Sequence, residues 1–236
     1  MIKKIGVVLL ILLATSCNEL QQVVNQLPGS SGAGLSNEVI ANGLKEALDQ
    51  GIDKQVRKLT QTDGFYKNEL VKILLPEELR KVDKTLRDIG LGNLADEGLK
   101  VLNRAAEDAV SEATPIFINT VKEMTFTDAK NILLGNNNAA TTYLQNKTNT
   151  ALYEKFKPVI NSSFEKVGAD KIWSSIITRY NAIPLTNKVN PDLTDYVTQQ
   201  ALSGVYKMIA VEEVDIRTKL SSRTTDLLRK VFALQD

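Results

Sequence analysis

Residues 37–56 read NEVIANGLKEALDQGIDKQV, and this stretch decides the fold. Its apolar side chains recur at intervals of three and four residues, which places them on one face of an α-helix. The opposite face is polar or charged, so the stretch predicts an amphipathic helix that packs against other elements. The apolar members are Val39, Ile40, Leu44, Ala47, Leu48, Ile52 and Val56.

The same helical period continues to the end of the chain. A long helix is predicted from about Leu94, and Pro115 should end or kink it because proline lacks the amide donor of the helix interior. Thr125 and Asp128 have the spacing of a capping box, and Asp192 is placed to cap another helix. The remaining predicted helices start at Pro76, cover about 143–167, 169–182 and 193–211, and begin again at Thr224 or Thr225.

Strand patterns are almost absent from this sequence. The best candidate, Val71–Leu75, is short. We therefore predict an all-α fold, with residues 37–236 forming a single multi-helix bundle domain.

The N-terminus has the pattern of a bacterial export signal. Two lysines precede an apolar run from Ile5 to Ala14, and a lone cysteine, Cys17, follows Ser16. A run of this length is too short to span a bilayer, which needs about 20 helical residues, but it suits the apolar core of a signal peptide. The segment resembles the lipobox of bacterial lipoproteins. We predict that residues 1–16 are a cleaved signal peptide and that Cys17 is the lipid attachment site.

Residues 17–36 are predicted to be a flexible tether. Residues 28–34 read PGSSGAG, which is a spacer composition, and a random coil of this length spans roughly 25 Å. Acyl chains such as palmitate on Cys17 would hold the protein on a membrane of the cell envelope, facing the periplasm. Asn18 follows the cysteine where Asp could stand, and resemblance to the sorting rules of enterobacterial lipoproteins then implies the outer membrane.

The composition excludes several classes of function. The chain has no histidine and one cysteine, which rules out Ser-His-Asp and Cys-His catalytic groups and zinc sites built from these residues. We therefore predict no metal and no cofactor. With 29 basic and 28 acidic residues the chain lacks the excess positive charge of a nucleic-acid binder, so no nucleic-acid partner is expected.

Five short stretches occur in a fixed order along the chain. They are Asn103–Glu107 (NRAAE), Met124–Ala129 (MTFTDA), Arg179–Pro184 (RYNAIP), Asp192–Val197 (DLTDYV) and Arg223–Leu228 (RTTDLL). Together they resemble the exported bacterial proteins known as domain of unknown function 4197, over about Gly43 to Phe232. The resemblance implies a single all-helical unit, and it implies no activity and no catalytic residues.

Two groups of charged residues have a functional and a structural interpretation. Glu97, Lys100, Arg104 and Asp108 share one stripe of a predicted helix, either as a polar site or as a solvated face with opposite charges paired at intervals of three and four. We favour the solvated face.

The acidic group Glu212, Glu213 and Asp215 could bind a hard cation. The alternative, which we favour, is ion pairing of Glu213 with Arg217 and of Asp215 with Lys219, each at a spacing of four.

The main candidate site is a polar cluster around Arg179. This residue borders the apolar face formed by Ile172 and Ile176, where an unpaired charge would be costly. We predict that it meets a carboxylate of the last helices, either to fix their packing or to bind an anionic ligand. The predicted cluster comprises Arg179, Tyr180, Glu212, Glu213, Arg217 and Arg223.

Three functions remain open at this level. The favoured one is a non-enzymatic, membrane-anchored envelope lipoprotein whose helical module binds a protein partner or a small ligand. The alternatives are a histidine-free hydrolase that uses carboxylates alone, and a lipid-binding helical sheath, which would need an apolar cavity.

Overall fold

The computed structural model describes residues 36–76, 80, 84, 87–88, 90, 92–169, 174, 178, 181–182, 188 and 192–235. Within them are seven α-helices and no strand, which confirms the predicted all-α fold. Most of the predicted helices after Pro76 and over 169–182 lie outside the described residues, as does Cys17. The helices are α1 (Asn37–Thr60), α2 (Gly92–Val110), α3 (Ala113–Glu123), α4 (Phe126–Leu133), α5 (Ala139–Val167), α6 (Leu193–Thr218) and α7 (Asp226–Phe232), with short 3₁₀ helices at Leu220–Ser222 and Ala233–Gln235.

Side-chain caps begin four of these helices. Thr125 and Asp128 form the predicted capping box of α4, and Asp192 accepts a hydrogen bond from the Asp195 amide at the start of α6. Thr225 caps α7 in the same way, and Ser36 caps α1 through the Val39 amide. Each such cap satisfies an amide that has no partner inside the helix.

Three predicted boundaries differ from the structure. Helix α5 begins at Ala139 rather than 143, and α6 continues two turns beyond Val211 to Thr218. Both extensions depend on the buried ion pair described below. Pro115 lies in the first turn of α3, where its missing amide costs nothing, and the chain turns just before it, at residues 111–112.

Helices α1, α2, α5 and α6 enclose the core, and α6 packs along α5. Phe65, Phe117 and Phe156 are fully buried there. Tyr206 meets Phe117 edge to face and forms a 2.8 Å hydrogen bond with Thr148. Burial raises the pKa of Tyr206 to about 12, so this phenol remains neutral in the core.

A glycine allows the segment after α1 to approach α6. A Cβ atom at Gly204 would lie 2.7 Å from Cε1 of Phe65, whereas one at Gly98 in α2 would meet nothing within 4 Å. We expect Gly204→Ala to lower the free energy of unfolding by about 1–3 kcal/mol through overpacking, as measured by urea denaturation. The matched change Gly98→Ala should raise it by about 0.5–1 kcal/mol, because alanine favours a helix interior. Equal effects of the two changes would contradict this close approach.

Candidate functional site

Four members of the predicted polar cluster lie at the C-terminal end of α6. Glu212, Glu213 and Arg217 are 6–7% exposed, and Arg223, in the connection to α7, is 1% exposed. Arg179 and Tyr180 lie outside the described residues. The structure therefore buries two glutamates and two arginines at this end of α6. Their hydrogen bonds identify the partner of each charge.

Glu213 caps a helix that is distant in sequence. Its carboxylate accepts hydrogen bonds from the amides of Ala140 and Thr141, at 2.9 and 2.8 Å, and from the Thr141 hydroxyl at 2.8 Å. Asn138, the residue that precedes α5, provides no side-chain cap. Glu213 thus places a negative charge at the N-terminus of α5, where the helix dipole favours one.

Arg217 binds the C-terminal end of α4, the helix that precedes α5 in the chain. Its guanidinium lies 2.9 Å from the Glu213 carboxylate and donates to the carbonyls of Ile132 and Leu133, at 2.7 and 3.2 Å. Those carbonyls end α4 and have no partner inside the helix. The ion pair therefore joins the C-terminus of α4 to the N-terminus of α5 across the loop at 135–138.

The predicted spacing-of-four ion pairs are both confirmed. Glu213 pairs with Arg217, and Lys219 lies 2.7 Å from Asp215. In the part of the chain that the structure describes, no three carboxylate, histidine or cysteine side chains are arranged to share a metal ion. Within this group the acids bind cationic side chains and backbone amides.

Glu212 and Arg223 face other elements. Glu212 accepts hydrogen bonds from Gln55 at 2.6 Å and Lys54 at 2.7 Å, both on α1. Arg223 donates to the carbonyls of Ile216 and Arg217, at 3.0 and 2.9 Å, at the end of α6. The structure therefore brings Glu213 and Arg217 into direct contact, and joins Arg223 to them through the Arg217 backbone.

A small cavity of about 20 Å³ adjoins the cluster, bordered by Glu212, Glu213 and Arg217 and by apolar side chains of α1, α6 and α7. A space of that size holds about one water molecule.

The Asp49 carboxylate, also on α1, has one buried oxygen without a hydrogen-bond partner. Burial raises the pKa of this carboxyl group despite Lys122 and Lys45 nearby.

Sequence reasoning missed a second buried polar group, which holds the segment after α1. The fully buried Asn103 accepts from the Ile73 amide at 2.8 Å and donates to the Ile73 carbonyl at 2.9 Å. Glu107, one turn further along α2, accepts from the amides of Phe65 and Tyr66. We call Asn103 and Glu107 the α2 clasp. Residues 72–76 have no regular secondary structure, and within them Asn103 satisfies the backbone amide and carbonyl of Ile73.

The charged stripe on α2 is only partly the solvated face predicted. Lys100 pairs with Glu97 at 2.7 Å, as expected for residues three apart. Arg104, however, binds Asp63 at 2.6 Å and Glu107 at 2.8 Å and does not pair with Asp108. The prediction was wrong for Arg104 because the turn at Asp63, with φ of 66°, brings a carboxylate from outside the helix.

The turn at Asp63 borders an open groove of about 490 Å³. Its rim carries Lys58, Lys67 and Asn68, and Leu70 is half exposed there. A hydrogen bond from Lys67 lowers the pKa of Asp63, so this carboxylate is ionised at neutral pH. The groove offers mixed charge and one apolar side chain to a partner.

These features define an all-helical domain. Its buried charged and amide side chains form hydrogen bonds with backbone groups at helix ends and in the segment after α1. The chain belongs to the family described as Protein of unknown function (DUF4197), whose profile matches residues 34–233. No curated protein matches the chain. No solved structure matches it.

The stretches that carried the family resemblance have structural roles wherever the structure describes them. Asn103 and Glu107 form the α2 clasp, Thr125 and Asp128 cap α4, Asp192 caps α6, and Arg223 binds the last carbonyls of α6. Among these stretches, Arg179–Pro184 lies mostly outside the described residues.

Proposed function

We propose that the protein is a lipid-anchored lipoprotein of the bacterial cell envelope, on the outer membrane as Asn18 favours, and that its helical domain binds a partner. The observation that carries this proposal is the position at which the domain begins. The compact unit starts at Ser36 and the family match at residue 34. Both starts follow the signal pattern, Cys17 and the Pro-Gly-Ser spacer, as a tethered domain requires.

Partner binding suits the described polar groups better than catalysis does. Glu107, Glu212 and Glu213 are the buried carboxylates of the described residues, and each is paired with a lysine or arginine. An acid catalyst would need an environment that separates the pKa values of two neighbouring carboxyl groups. These three instead bind cations, and Glu107 and Glu213 also bind backbone amides, so they support a structural scaffold that presents surfaces to a partner.

The lipid-sheath alternative has less support. Such a sheath needs an apolar cavity that encloses an acyl chain, of some hundreds of Å³. The apolar cavity beside α1 and α6 has a volume of about 20 Å³, and the 490 Å³ groove near Asp63 is open and lined largely by polar side chains. None of the helices in the described part of the chain is long and apolar enough to cross a membrane.

The lipid anchor is tested by Cys17→Ala in the full chain. We expect the variant to leave the membrane pellet and enter the soluble periplasmic fraction, because the acyl chains supply the membrane affinity. Fractionation followed by a carbonate wash measures this, and Ser16→Ala, which keeps the cysteine and a small residue before it, is the control that should still pellet. If the Cys17→Ala variant still pellets after the wash, the anchor is not this cysteine.

A further inference from the structure

Three strongly exposed leucines follow helices whose ends meet at one backbone carbonyl. Leu134, Leu220 and Leu234 are 66%, 69% and 53% exposed, although most large apolar side chains of the described residues are buried. They follow α4, α6 and α7 respectively, so each stands at the C-terminal end of a helix. More than half of each of these residues is exposed to solvent, so each contributes little to the core.

Hydrogen bonds at a single carbonyl bring together the helix ends that the three leucines follow. The Leu133 carbonyl accepts from Arg217 and from Gln235. Leu134 is adjacent to that carbonyl, Leu234 is adjacent to Gln235, and Leu220 follows Arg217 by three residues. We call these three side chains the leucine face.

The described chain begins on the helix that packs against α7. A Cβ atom at Gly43 would lie 2.5 Å from the Val231 side chain, so the first turns of α1 pack directly on α7, three residues before Leu234. Ser36 precedes Gly43 by two helical turns, or about 10 Å. The described chain therefore begins about 10 Å along α1 from the contact of α1 with α7.

Exposed cations accompany the leucines. Lys130 and Lys230 each precede a leucine of the face by four residues, and both are exposed. Within the described residues neither has an ion-pair partner. Apolar side chains with neighbouring lysines are the combination that binds the interface of a membrane with anionic lipids.

We propose that the leucine face docks on the phospholipid surface to which Cys17 is anchored, so that the domain stands on the membrane in one orientation. This inference rests on the proposed lipid anchor. A tether that spans roughly 25 Å as a coil keeps the face within reach of the bilayer. Leucine side chains then enter the acyl boundary, while Lys130 and Lys230 meet lipid phosphates.

The test uses the full, lipidated chain in vesicles of phosphatidylethanolamine and phosphatidylglycerol. Leu134→Cys, Leu220→Cys and Leu234→Cys are made singly and labelled with bimane maleimide, and acylation of Cys17 leaves the new thiol as the only reactive one. The matched control is Val167→Cys, because Val167 is also 56% exposed. It ends α5, about 40 Å along the helix axis from the Glu213-capped end.

We expect lipid-borne nitroxide to quench bimane at the three leucine positions at least about twofold more than at 167. Equal quenching at all four positions would overturn the inference, because the face would then not enter the lipid. A face covered by the tether or by a partner protein would give this same result. Shielding that needs no vesicles and grows with protein concentration would assign the face to a second copy, which also overturns it.

Maleimide uptake by the unsubstituted chain separates failure of the anchor from failure of docking. No uptake supports acylation of Cys17, so the bimane result then concerns docking alone. Uptake of one maleimide contradicts the anchor itself, and the inference fails with it.

Discussion

Glu213→Ala is expected to lower the free energy of unfolding by about 3–5 kcal/mol, because it leaves Arg217 charged and buried without a counter-ion. Both side chains of this pair are 4–6% exposed, so bulk solvent is a poor substitute for the lost carboxylate. The change also removes the acceptor for the Ala140 and Thr141 amides at the start of α5. Urea denaturation followed by circular dichroism measures the difference.

Asp215→Ala is the matched control on the same helix. Asp215 pairs with Lys219 at the same spacing, but that lysine is 59% exposed, so its loss should change stability by less than about 0.5 kcal/mol. If Glu213→Ala proves too unstable to purify, Glu213→Gln keeps one acceptor oxygen and should show a smaller loss of the same sign. A Glu213→Ala loss no larger than that of Asp215→Ala would mean that the ion pair does not hold α4 and α5 together.

The elements that the sequence predicts correctly are those whose causes are local. The spacing of Leu44, Leu48 and Ile52 identifies α1, because burial of one helix face depends only on neighbours along the chain. The capping box of Thr125 and Asp128 is likewise complete within four residues. Such features need no knowledge of the rest of the fold.

The boundaries that differ have distant causes. Helix α5 begins at Ala139 because Glu213, more than seventy residues away, satisfies its first amides. Nothing in the residues before α5 shows this, since Asn138 provides no cap. Burial of Glu212 and Glu213 could be suspected from the apolar residues Met208 and Ile209 before them, but their bonding partners could not.

The α2 clasp was missed for a related reason. Asn103 lies among alanines in a helix, where it could equally be solvated, and its partner Ile73 is thirty residues earlier. The available signal was the short candidate strand at Val71–Leu75 in a sequence that otherwise predicts helices. A buried backbone without a strand needs a side-chain partner, and a polar residue on a face rich in small side chains can supply one.

Asn103→Ala should therefore lower the free energy of unfolding by about 2–4 kcal/mol, because it leaves the buried Ile73 amide and carbonyl without partners. Asn103 is fully buried and also donates to the Leu99 carbonyl at 2.7 Å. Asn93→Ala, at an exposed position in the first turn of the same helix, is the control and should change stability by less than about 0.5 kcal/mol. Hydrogen exchange gives an independent measure: the Ile73 amide should exchange faster in Asn103→Ala and at the unsubstituted rate in Asn93→Ala. An Ile73 amide that stays equally protected in both variants would show that Asn103 does not hold this segment.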